Sequence, residues 1–309
     1  MSILKLKPIF KDYIWGGDNL VKKFGKEYNG EILAESWELS SHQDGSSIID
    51  NGDFYGKSFS QFLSESKDNI IGENYENSSD FPVLIKFIDA KQSLSIQVHP
   101  DNEYARKNEN DNGKNEMWYI VDATKDAYIY YGFNKEISKA EYESHIENNT
   151  LLEVLNKVNV KKGDCFFIKA GTVHAIGEGC LIAEVQQSSN VTYRVYDYAR
   201  RDANGNLREL HIKKAIEVST LAPAKNIAKT DDILVECEHF TVEKIVLDGE
   251  KKFFANEKSF HSLLVLSGSG EIKSHHQTIE FSKGDSIFVC ANTGEYSLSG
   301  QFTALLTHI

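Results

Sequence analysis

Gln97 and His99 stand two residues apart in the apolar run Leu94-Ser95-Ile96-Gln97-Val98-His99-Pro100-Asp101. Alternate residues of a strand share a face, so both side chains aim the same way. His174 closes a second block, Gly163-Asp164-Cys165-Phe166-Phe167-Ile168-Lys169-Ala170-Gly171-Thr172-Val173-His174, which reads as a strand followed by a glycine turn. Glu116 opens a third strand-like run, Glu116-Met117-Trp118-Tyr119-Ile120-Val121. Two imidazoles, a carboxylate and an amide oxygen form a ligand set for a divalent transition metal with coordination left for substrate. Each residue also has an ordinary reading. His99 alone is a strand histidine, and Glu116 alone is a solvated charge at a strand start. Gln97 on the face of His99, with the matching His174 block, favours ligation. As a neutral amide, Gln97 equally reads as a group that orients a ligand.

The elements that must position these residues are mostly strands. Residues 1–48 read as short strands and turns, with the aromatic-glycine segment Tyr13-Ile14-Trp15-Gly16-Gly17 and the alternating Glu35-Ser36-Trp37-Glu38-Leu39-Ser40. Phe59, Phe62 and Leu63 fall at helical spacing within 57–75, and Tyr75 to Asp80 reads as polar loop. Strands are predicted over 82–89 and 94–99, and a short helix with an acidic first turn after Pro100. Residues 116–121 and 127–131 read as a strand pair. Ser138 followed by Glu141 makes a capping box for a helical stretch over 138–157, divided in two by Asn148-Asn149-Thr150. Strands return over 158–198, a helix is predicted near 212–221, 223–232 is a polar linker, and 233–309 is β-type throughout. Gly163 to Gly171 lines up with Gly284 to Asn292, and three residues further Glu295 stands where His174 does. This internal repeat shares strand-turn grammar but not the ligand.

The chain has 309 residues and a formal net charge of -12, which argues against nucleic acid or an anionic membrane as partner, since no counterion release would drive binding. A phosphorylated metabolite would have to be held by a local group of Lys and Arg. Cys165, Cys180, Cys237 and Cys290 form no C-x-x-C pair and sit in apolar runs, which reads as reduced core cysteines in a cytoplasmic protein. The N-terminus has no apolar core of signal-peptide length, and no apolar run is long enough to span a bilayer.

The second block resembles the second cupin motif: Gly163, Lys169 in the usual proline place, Gly171 and His174. Gln97-x-His99 stands for the His-x-His of the first motif, with the carboxylate Glu116 delayed by a long insertion. That split arrangement resembles type I phosphomannose isomerase (mannose-6-phosphate isomerase) in its short bacterial form. The likeness extends to Tyr-Ile-Trp-Gly-Gly (13–17), Glu-Ser-Trp-Glu-Leu-Ser (35–40), Gly-Lys-Asn-Glu-Met-Trp-Tyr (113–119), Ala-Gly-Thr-Val-His-Ala-Ile (170–176) and Thr-Tyr-Arg-Val-Tyr-Asp-Tyr (192–198).

The resemblance implies a mainly β fold: a cupin (jelly-roll β-barrel) catalytic domain with helical insertions, residues 1–222, plus a degenerate second cupin-like β domain, residues 233–309. It implies one zinc ion per chain, held by Gln97, His99, Glu116 and His174. It places an essential arginine at Arg194, lysines at Lys114 and Lys86, and Ser95 near a substrate phosphate. The spacing Lys114-Asn115-Glu116 differs from that of longer family forms. The acidic residue some relatives carry just upstream of the arginine has no counterpart in Ser188-Ser189-Asn190, so no base is carried over from there. The implied reaction interconverts mannose 6-phosphate and fructose 6-phosphate through an enediol, with the small sugar phosphate as partner and no protein partner inferable.

From the residues alone, Arg194 among Tyr193, Tyr196 and Tyr198 also reads as cation–π packing, and Lys86 and Lys114 as surface charges. Glu38, His42, Glu184 and Tyr196 are further candidates for lining the site; His145, His275 and His276 are not. Two other functions stand beside the isomerase. One is a cupin enzyme of another class, such as an iron or manganese dioxygenase, which usually wants more imidazoles on its metal. The other is a non-catalytic metal- and sugar-binding cupin.

Overall fold

Strands that bury both faces organise the molecule. In the strand Val83–Ala90 all eight residues are buried. Val83, Ile85 and Phe87 enter one apolar core, while Ile88 and Ala90 enter another on the opposite face. A strand so placed must lie inside a sheet with material on both sides. The structure, a computed structural model, describes residues 3–66, 68–75, 81–201, 205–229 and 232–309. The expected loop over 75–80 lies outside these residues beyond Tyr75, as do residues 230 and 231 of the expected linker.

Val83–Ala90 belongs to a six-stranded antiparallel sheet in the order Cys165–Ile168, Glu116–Ala123, Cys180–Gln187, Val83–Ala90, Glu35–Leu39, Ile9–Lys11. Facing it is a five-stranded sheet in the order Leu155–Asn159, Tyr128–Phe133, His174–Ile176, Ile96–Val98, Tyr193–Tyr196. Between the two lie Trp118, Ile120 and Ile182 from the first sheet and Ile129, Tyr131 and Ile176 from the second. This is a jelly-roll barrel, closed around side chains.

A third sheet is built from Ile233–Glu236, Thr241–Ala255, Gly294–His308, His261–Ser274 and Ser286–Val289, with Gln277–Ser282 paired to His261–Ser274. It continues into Ile3–Lys7 and Ile48–Ile49, so the start of the chain completes the sheet of its end. One face wraps its own core of Leu263, Val265, Ile287, Leu298 and Leu306. The other packs Leu264, Phe288 and Leu305 on Val83, Phe87 and Met117 of the barrel. The observed class is therefore the expected one: mainly β, a jelly-roll barrel carrying helices, and a second β unit.

The internal repeat is real in the backbone. Gly163 and Gly284 have φ of 94° and 91°, and Gly171 and Asn292 have φ of 87° and 60°. These are the left-handed turns on either side of Cys165–Ile168 and Ser286–Val289. Asp164 Oδ2 accepts from Lys161 N and Asp285 Oδ2 from Ser282 N, closing the same turn. The contents differ. The register that sets Ile168 opposite Glu116 sets Val289 opposite His261, and Glu295 lies exposed in an ion pair with Lys252 at 2.9 Å.

Helices form where caps were legible. Phe59–Glu65 starts at a Ser58–Gln61 capping box, Lys139–Glu147 at Ser138–Glu141, and Asn102–Asn108 at Asp101. Two expectations change. Glu116–Ala123 and Tyr128–Phe133 do not pair with each other. The turn between them carries the chain from one sheet to the other, and each strand finds distant partners. After Asn148 only one 3-10 turn, Leu151–Glu153, follows, and the apolar residues beyond it form the strand Leu155–Asn159. The helix near 212–221 is Ile212–Val218. Among the described residues no helix is long and apolar enough to cross a membrane.

Candidate active site

Sheet pairing brings the predicted residues into one barrel mouth. His174 lies directly opposite Gln97, and Arg194 opposite Gln97 on its other side. The three form a row across the five-stranded sheet. The facing sheet supplies Glu116, opposite Gln186, and Lys86, opposite Glu184. His99 follows its strand by one residue, and its carbonyl accepts from Gly171 N at 2.8 Å, which ties the two histidine blocks together.

His99 Nε2 lies 3.2 Å from Glu116 Oε1, and His174 Nε2 lies 3.6 Å from Glu116 Oε2. All three residues are buried. One donor atom from each falls within 4.8 Å of the others. Both imidazoles have fixed tautomers: His99 Nδ1 donates to Val191 O and His174 Nδ1 to Thr172 O, each at 2.8 Å. Their Nε2 lone pairs therefore point at the carboxylate. Burial, then Lys114, pushes the His99 imidazole down to about 3, and burial lowers His174 too, so both are neutral bases. Burial alone would raise Glu116, but the Lys114 ammonium beside it holds it well below the usual carboxylate range.

Lone pairs thus face lone pairs with no proton between them. His99 Nε2 and both oxygens of Glu116 have no hydrogen-bond partner among the described residues. Lys114 Nζ lies 2.9 Å from Glu116 Oε1 as an ion pair, outside hydrogen-bond angles. Buried donors left bare in this way fit a divalent cation. Gln97 Nε2 is 3.4 Å from His174 Nε2. Turned over, the same amide presents its oxygen as a fourth donor.

A cavity of about 290 Å³ opens beside these residues. Lys86, Ser95, Gln97, Lys114, Glu116 and Arg194 line it, so all six non-histidine candidates converge on one space. Lys86 is buried between two carboxylates, 3.3 Å from Glu184 and 3.6 Å from Glu35. Burial opposes its charge, yet Glu35 and Glu184 outweigh it and hold the ammonium above its ordinary value. Trp118 Nε1 donates to Glu184 Oε2 at 2.9 Å, and Trp37 Nε1 to Glu35 Oε2 at 2.7 Å. Glu184 Oε1 is left without a hydrogen-bond partner, and burial together with Glu116 raises its carboxyl. Arg194 Nε contacts Ser95 Oγ at 3.3 Å and Nη1 donates to Glu209 O at 2.9 Å.

Residues 3–128 match the phosphomannose isomerase type I catalytic domain, and residues 230–309 match the mannose-6-phosphate isomerase cupin domain. Mannose-6-phosphate isomerase ManA of Bacillus subtilis is 40% identical over 316 residues, covering 99% of this chain and 98% of that protein. The chain belongs to the type I phosphomannose isomerase family. The crystal structure of mannose 6-phosphate isomerase from Bacillus subtilis superposes with a TM-score of 0.92 at 35% identity, covering all of both chains. A mannose 6-phosphate isomerase solved with zinc and yttrium bound shares the fold, with a TM-score of 0.77 at 18% identity over 100% of this chain and 99% of that one. In this family member His99, Glu116 and His174 form a buried cluster with the donor atoms and spacing to hold a metal ion.

Of the further candidates, Glu184 lines the cavity of this type I phosphomannose isomerase, whereas Glu38, His42 and Tyr196 are not among the lining residues. Glu38 is instead held by Lys26 at 2.7 Å and Ser36 at 2.6 Å in a buried group of its own. Sequence reasoning missed Glu35 and Arg208, which do line it. Alternation offered a route to Glu35, which shares the face of Trp37. Arg208 comes from a polar loop and carried no local signal.

Proposed function

We propose that this protein interconverts mannose 6-phosphate and fructose 6-phosphate through an enediol, with one zinc ion per chain held by Gln97, His99, Glu116 and His174. The carrying observation is the buried set of lone pairs around Glu116, whose protons are already committed to backbone carbonyls. A zinc ion held there would supply a redox-inert Lewis acid able to polarise a carbonyl. The chain's own residues do the rest. Glu184 Oε1, its carboxyl raised and the oxygen paired with the Lys86 ammonium beside the cavity, takes the proton from the carbon next to the carbonyl and returns it to the neighbouring carbon. Lys86 and Lys114 hold positive charge against the developing enediolate, and Arg194 adds a fixed guanidinium. Ser95 stands at the phosphate end, beside Arg194. Trp118 and Trp37 hold the two carboxylates in place.

The metal-binding unit is residues 1–222, apart from the strands Ile3–Lys7 and Ile48–Ile49 that join the sheet of the unit at 233–309. The latter carries no counterpart of the ligand set. Four cysteines without disulfides accord with the reducing cytoplasm as its compartment. The test is elemental analysis of the purified protein with a coupled fructose 6-phosphate assay, before and after chelation. Stoichiometric zinc and turnover that chelation removes are expected. A metal-loaded protein without turnover would indicate a binding cupin, and iron or manganese as the resident ion would indicate another enzyme class.

A further inference from the structure

The cavity is electrically divided. Its deep part holds Glu35, Lys86, Lys114, Glu116 and Glu184 around the metal site. Its half-buried to exposed rim holds Asn190, Thr192, Arg194 and Arg208, with no carboxylate among the lining residues there, and the buried Ser95 lies next to Arg194. Arg208 reaches the mouth from the chain just before Ile212–Val218, far in sequence from every ligand. Its guanidinium approaches Asp197 through Nη1 alone, at 3.3 and 3.4 Å. Those contacts are long, because Asp197 Oδ1 already accepts from Arg200 Nε at 3.1 Å and from Arg200 Nη2. Arg200 is further pinned by Nη1 donating to Ser93 O at 2.7 Å. Asp197 is buried, so it acts as a fixed acceptor beneath two guanidiniums. Arg200 is committed to it, and Arg208 is only steadied by it. Among the described residues no hydrogen bond or ion pair occupies the remaining N–H groups of Arg208. Arg194 likewise has Nε and Nη1 engaged and no described partner at Nη2.

The Arg208 guanidinium, with open N–H groups on the same cavity as the Ser95 hydroxyl, suits a dianionic tetrahedral oxyanion, which its fork can meet with parallel bonds. We propose that Arg208 is a specificity-determining anchor for the phosphate of the substrate, and that Asp197 is the positioning residue that aims it. The inference rests on the sugar-phosphate isomerase reading and adds a residue to it. Losing one charge-assisted fork weakens phosphate binding by roughly 10- to 100-fold.

The experiment compares wild type, Arg208→Gln, Arg208→Lys and Asp197→Asn in steady-state isomerisation of mannose 6-phosphate, with competitive inhibition by inorganic phosphate measured alongside. For R208Q, KM and the phosphate inhibition constant rise together by roughly 10- to 100-fold, more than kcat falls. R208K, which keeps the charge without the fork, lies between. D197N moves the same two constants in the same direction by less. If R208Q leaves the phosphate inhibition constant within about twofold of wild type, Arg208 does not hold the phosphate, whatever KM does. A fall confined to kcat would also overturn the anchor. A wild-type protein that does not turn over mannose 6-phosphate would instead sink the isomerase reading itself.

Discussion

The buried triad Glu35–Lys86–Glu184 makes a demanding prediction for Lys86→Met. Lys86 is 4% exposed, and its ammonium lies 3.3 and 3.6 Å from its two carboxylates. Methionine matches its length and removes its charge. Stripping one partner from a buried ion pair costs roughly 3–5 kcal/mol, because the remaining charge has neither water nor a counterion. One carboxyl can escape by taking up a proton, and Glu184 is the candidate, since burial and Glu116 already raise it. The sign follows. A carboxyl raised in the folded state binds more protons folded than unfolded, so stability falls as pH rises, by up to about 1.4 kcal/mol per pH unit. A deficit of about 3 kcal/mol at pH 7.5 should therefore shrink to under about 1 kcal/mol near pH 5. Urea unfolding of metal-free wild type and K86M at the two pH values measures it. K86M/E184Q, which also removes the stranded carboxylate, should recover at least half the loss at pH 7.5. A deficit that is independent of pH, or a double variant no more stable than K86M, would refute the idea that Lys86 neutralises these carboxylates.

His174→Ala removes a donor whose position is fixed by Thr172 O, and should abolish both bound zinc and turnover; stoichiometric metal in the purified variant would show that His174 is not a ligand. Arg194→Ala should lower kcat by roughly 100- to 1,000-fold, the range for removing one fixed donor at a developing oxyanion, and weaken substrate binding less. A change in KM alone would move Arg194 from transition-state stabilisation to ground-state binding. Glu295→Ala, at the counterpart of His174 in the second unit, should leave metal content and turnover at wild-type values, and lost zinc would overturn the view that this unit holds no metal ligand.

The sequence by itself determined sidedness and punctuation. Period-2 alternation put Gln97 on the face of His99, glycine spacing marked the turns around Cys165–Ile168, and a capping box placed a helix start at Ser138. These are local properties, set by neighbours within four residues. The motif likeness went further and named eight candidate residues; the fold brings six to one cavity and seats both histidines against Glu116. Only the tertiary structure decided which strands pair. It set Glu116–Ala123 beside Cys180–Gln187 rather than beside Tyr128–Phe133, and enrolled Ile3–Lys7 in a sheet built from the far end of the chain. Register between distant strands depends on which apolar faces fill a common core, and a single strand carries no record of its partner. The same holds for charge. Glu184 faces the cavity while Glu38 is taken by Lys26, and Arg208 reaches the mouth from a loop without pattern. A carboxylate or guanidinium becomes functional through the groups around it, and those groups are assembled only when the barrel closes.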